Sequence, residues 1–86
     1  MRLFYKIKPD SYKASMDQIR EKFSLHQEVD EARTILSGED DSQIERVIGT
    51  YDPESDDVAQ VRVTIHDKSL RQFFDSILGE PFLVKD

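Results

Sequence analysis

The side chains available for chemistry are few. His26 and His66 are the two histidines, and cysteine is absent. His66 precedes Asp67, but neighbours on a strand point to opposite faces, so they do not form a base with its orienting acid. His66 reads as an exposed strand end and His26 as a solvated helix start. No Gly-x-Ser-x-Gly elbow is present, and without cysteine there is no thiol nucleophile, disulfide, zinc finger or iron–sulfur site. Gly38, Gly49 and Gly79 are isolated, so no glycine-rich loop can cradle a phosphate. Asp52, Glu54 and Asp56 have the first three spacings of a calcium loop. Its sixth position, however, is Asp57 instead of glycine, and its twelfth is Val63 instead of an acid. An acidic hairpin turn is the simpler reading. Asp40-Asp41 and Asp56-Asp57 fall in polar loops, without the apolar pocket that shifts a carboxyl pKa towards acid–base work. The expectation is no catalytic residue, no cofactor and no metal.

The elements that position these residues follow from periodicity. Leu3, Tyr5 and Ile7 alternate with Arg2, Phe4, Lys6 and Lys8, a strand over 2–8. Pro9 then stops it, and Asp10 or Ser11 offers a helix cap. Tyr12, Met16, Ile19 and Phe23 lie on one face of a helix over 11–23. Ser24 and Gln27 have capping-box spacing, and Leu25, Val29, Ala32 and Leu36 repeat at helical intervals up to Gly38, which predicts a helix over 25–36. In the next segment, Ile44, Val47, Ile48 and Tyr51 match a helical face, but the composition of 44–51 favours a strand. A turn at 52–57 and a strand over 59–65 complete a hairpin. Asp67 caps a last helix with Leu70, Phe73, Phe74, Ile77 and Leu78 on its apolar face; at least one of Phe73 and Phe74 is expected to be fully buried. Gly79 and Pro81 end that helix, and a short strand comes after it at 82–84.

These elements predict an α+β fold over one domain, 1–86: an antiparallel sheet with helices packed on one face. Strand, helix, strand, strand, helix, strand resembles the ferredoxin-like β-α-β-β-α-β order. The 86 residues, 37% of them apolar, suffice for one two-layer unit. The opening residues carry no signal-peptide pattern, no run approaches a membrane span, and zero cysteines point to the cytoplasm.

Charge suggests what the surface does. The chain is net −6, but residues 1–22 are net +3, 23–57 net −9 and 58–86 neutral. With Leu3, Tyr5, Ile7, Val61, Val63 and Ile65 under the helices, the other sheet face carries Arg2, Phe4, Lys6, Lys8, Arg62 and His66. On the 44–51 strand, Ile44 and Ile48 fall on one side and Val47 and Tyr51 on the other, so apolar residues reach both faces, and one chain of this size covers only one. The reading is a small acidic non-enzymatic interaction module. It binds a protein partner and self-associates through its sheet face; the candidate contact residues are Phe4, Lys6, Arg62 and, as alternatives on opposite sides of their strand, Ile48 or Tyr51. Two alternatives remain. One is RNA binding on the basic face, disfavoured because Gln60, Arg62 and Thr64 stand where base-stacking aromatics are needed. The other is an acidic inhibitor that imitates nucleic acid through Glu28, Asp30, Glu31, Glu39, Asp40, Asp41, Asp52, Glu54, Asp56 and Asp57.

Overall fold

The computed structural model describes residues 1–39 and 43–86. The elements run β1 (Arg2–Ile7), α1 (Pro9–Phe23), β2 (His26–Asp30), β3 (Arg33–Ser37), β4 (Ile44–Thr50), β5 (Ala59–Ile65), a 3-10 turn (Lys68–Leu70), α2 (Arg71–Leu78) and β6 (Leu83–Lys85). The strands form one antiparallel sheet in the order β2-β3-β4-β5-β1-β6. The fold is therefore α+β, as the periodicity implies. The six-strand order is not the four-strand sheet expected, because the chain between α1 and β4 adds two strands of its own.

That addition corrects the helix predicted over 25–36. Ser24 is not the start of a capping box. It is the C-cap of α1, at φ 51, with its N–H donating to the Arg20 carbonyl. The Leu25 N–H donates to the same carbonyl at 3.0 Å. A left-handed residue ends a helix and turns the chain out of its axis. Residues 26–37 then pair as a hairpin, His26 opposite Ser37 through Asp30 opposite Arg33, with Glu31 in the turn at φ 54. Leu25 and Leu36 are buried while Val29 is 65% exposed, so the helical stripe was a coincidence of spacing. His26 accordingly lies on a strand. At the other end of α1, Pro9 occupies the first turn of the helix instead of stopping the chain before it, and Lys8 is the N-cap, with no side-chain cap from Asp10 or Ser11.

The core lies between one sheet face and the two helices. Leu3, Tyr5, Leu36, Ile44, Val47, Val61, Val63 and Ile65 are buried from the sheet side, and Met16, Ile19, Phe74 and Leu78 from the helices. Phe23 joins the helices by meeting Phe73 edge-on at 5.1 Å between ring centres and stacking on Phe74 at 5.9 Å. Phe74 is the fully buried member of the Phe73–Phe74 pair. Tyr5, also buried, donates its hydroxyl to Asp75 Oδ1 at 2.7 Å, tying α2 to β1. Burial, and then the Asp75 carboxylate, hold that phenol well above its ordinary pKa. α1 rests directly on β4. A Cβ at Gly49 would come within 2.8 Å of Tyr12 Cε1 and 2.9 Å of Met16 Cε, so glycine is what permits the approach. Asp67 caps the 3-10 turn ahead of α2. The Ser69 N–H and hydroxyl donate to its Oδ1 at 2.9 and 2.7 Å, which holds the carboxyl below its usual range.

The bulge at Glu45 explains why 44–51 read ambiguously. Ile44 pairs with Ile65 and Arg46 with Thr64, so one extra residue sits on β4. Ile44 and Val47 consequently face the core together, at the spacing of a helix. The expected division, Ile44 with Ile48 against Val47 with Tyr51, does not occur: Ile48 alone turns to the opposite face.

Candidate partner-binding face

The sheet face away from the helices is built by strand alternation alone, and its rows are set by the register. The central row runs Leu83–Phe4–Arg62–Ile48–Ile35–Glu28 across all six strands. One flanking row is Lys85–Arg2–Thr64–Arg46–Ser37–His26, and the other, from β1 to β2, is Lys6–Gln60–Thr50–Arg33–Asp30. An apolar row thus lies between two polar rows rich in cations. Six of the chain's twelve lysines and arginines stand here, against two acids, both on the edge strand β2.

The charges on this face are unevenly satisfied. Arg33 Nη2 lies 3.4 Å from Asp30 Oδ2. Among the described residues, Arg2, Arg46 and Arg62 form no ion pair. Lys6 Nζ sits 4.6 Å above the Phe82 ring and Lys85 Nζ 5.8 Å from the Phe4 ring. The two rings are neighbours, 6.3 Å apart and tilted by 57°. Phe82 is 51% exposed, placed where its N–H donates to the Phe4 carbonyl at 2.9 Å. A shallow groove of about 240 Å³ opens between these groups, lined by Phe4, Arg33, Ile48, Thr50, Arg62 and Phe82 among others.

Of the five candidate contact residues, Phe4, Lys6, Ile48 and Arg62 share this face. Tyr51 does not: it packs on Tyr12 at 5.7 Å between ring centres, against α1. Alternation admits only one of Ile48 and Tyr51 to this face, and the bulge, by putting Val47 on the core side together with Ile44, selects Ile48. Several residues of the face were missed. Arg33 and Ile35 were hidden by the helical reading of 25–36, although Thr34 and Leu36 alternate with them at period two. Arg46 is set by the bulge, and Phe82, Leu83 and Lys85 by the β6 pairing.

The acids offered as phosphate mimics are scattered. Glu28 and Asp30 stand on β2, Glu31 in its turn, and four more in the β4–β5 loop. Asp40 and Asp41 lie outside the described residues. His66 Nε2 is 3.8 Å from Glu45 Oε1 on the exposed surface, not beside Asp67 in a catalytic arrangement. Among the described residues, no helix is long and apolar enough to cross a membrane, and no group of three acids or histidines is placed to hold a metal ion. No family model, curated protein or solved structure matches the chain.

Proposed function

We propose that this chain is a non-enzymatic binding module that takes a protein partner, itself included, on the open sheet face. The observation that carries the reading is the half-buried row of Phe4, Ile48 and Ile35 around exposed Arg62, beside two more arginines that form no ion pair among the described residues, on a chain that is acidic overall. An apolar centre rimmed by charge is the anatomy of a protein interface. Unpaired arginines select an acidic partner. The strands β6-β1-β5-β4 then serve as the ferredoxin-like part of the fold, with the β2–β3 hairpin widening the platform. The cysteine-free composition suits a reducing cytoplasm.

A second reading, single-stranded RNA, draws on the adjacent Phe4 and Phe82 rings and the surrounding cations. Against it, lysines lie over both rings and the rings are tilted, which leaves no flat stacking platform.

The test is solution mass by light scattering for the wild type and for Phe4→Glu. Association that Phe4→Glu abolishes, with the melting transition retained, supports the reading. Association should also weaken in part near 1 M salt, where the Debye length is about 3 Å. A wild-type monomer at all concentrations that shifts with labelled oligouridine would favour RNA.

A further inference from the structure

Resting on the reading of the open sheet face as a docking surface, we infer that it receives the β4–β5 loop of a second copy, in a two-fold dimer that exchanges loops reciprocally.

The first argument is charge. The loop carries Asp52, Glu54, Asp56 and Asp57 and no base, while the face carries six bases and two acids. The second is how the loop is held. Asp56 Oδ2 accepts the Asp52 N–H at 2.9 Å, and Asp52 Oδ1 accepts the Glu54 N–H at 3.0 Å. The Asp56 N–H donates in turn to the Asp52 carbonyl at 2.8 Å. Two acids therefore stiffen the loop. Glu54 and Asp57 form no ion pair among the described residues and are exposed. A loop already in its bound shape loses less conformational freedom on docking. Beside it, Val58 is 42% exposed and supplies an apolar contact for the Phe4–Ile48 row.

The third argument is placement. The loop leaves the sheet directly after Thr50 and rejoins it at Ala59, next to Gln60; Thr50 and Gln60 both line the groove. Loop and groove are therefore adjacent on one end of the sheet. A two-fold axis between them puts each copy's loop over the other's groove, and a reciprocal contact of this kind closes at a dimer instead of propagating. Glu54 and Asp57 then meet Arg62, Arg33 and Lys6.

The experiment is sedimentation equilibrium from about 10 to 500 µM on four proteins. They are the wild type, Arg62→Glu, the double variant Glu54→Lys/Asp57→Lys, and the protein combining all three substitutions. The expected result is a wild-type dimer, a dissociation constant raised at least about tenfold by either reversal, and most of the loss recovered when the reversals are combined. Far-UV circular dichroism checks that these exposed substitutions leave the fold unchanged, and a fifth protein, the neutral Glu54→Gln/Asp57→Asn variant, should fall between. Dimerisation lost with Arg62→Glu but untouched by the loop reversal overturns this inference while leaving the face as a docking surface. A wild-type monomer throughout the series, with or without oligouridine bound, overturns both.

Discussion

The two faces of the sheet are made by the same strands yet solve different problems. On β5, Ala59, Val61, Val63 and Ile65 are buried under helices, while Gln60 and Arg62 between them are exposed. The inner face closes within the chain: aromatic rings lock α1 to α2, and Gly49 lets α1 sit flush on β4. The outer face has the same backbone and no helix packed on it among the described residues, and it keeps a half-buried apolar row together with arginines that form no ion pair among those residues. Stability resides on the first face, and the proposed recognition of a partner rests on the second. Substitutions on the inner face should therefore move melting curves, and those on the outer face should move association.

The largest effect is expected at Phe74, which is fully buried at the junction of the helices and the sheet. Phe74→Ala should cost about 3–5 kcal/mol, enough to unfold much of so small a domain near its melting temperature, as thermal denaturation would show. Gly49→Ala comes next. Its methyl group would enter the space of Tyr12 and Met16, and the overpacking should cost about 1–3 kcal/mol in urea titrations. A tolerated alanine would mean that α1 is not seated on β4 as described.

Tyr5→Phe should be milder, about 1–2 kcal/mol, because the Asp75 side chain it leaves is one-third exposed and keeps Arg71 Nε at 3.4 Å. This phenol also sets an alkaline limit. Its folded pKa lies above the unfolded one, so its contribution is fully present below about pH 10 and is lost as pH rises beyond that value. Tyr12, raised chiefly by burial, acts with the same sign. Melting temperatures measured from pH 8 to 11 should fall above about pH 10, and less steeply in Tyr5→Phe. The smallest change in stability should come from Arg62→Ala, within about 0.5 kcal/mol, although this residue sits at the centre of the outer face. A large loss of stability there would break the division between the faces.

The sequence made some of this arrangement legible and hid the rest for local reasons. β1, β5 and α2 could be read because their periods are unbroken and their ends carry their own signals, from Pro9 to Asp67 and Gly79. The β2–β3 hairpin could not, because Leu25, Val29, Ala32 and Leu36 satisfy a helical repeat. The decision belongs to Ser24, a residue without glycine's signature in the left-handed region, and to pairing with β4. On β4 a single inserted residue at Glu45 changes which side chains share a face, and no local pattern announces it. The candidate face was legible where it rests on β1 and β5, through Phe4, Lys6 and Arg62. It was invisible where it rests on long-range register, through Arg33, Ile35, Arg46 and Phe82.

The most direct test of the division between the faces is a dilution series of amide nitrogen–proton NMR spectra across the concentration range proposed for sedimentation. The account predicts that shift changes concentrate at Phe4, Arg62, Ile48 and Phe82 and in the β4–β5 loop, while α1 and α2 stay still. Spectra that do not change with concentration, or changes centred on the helices, would contradict it.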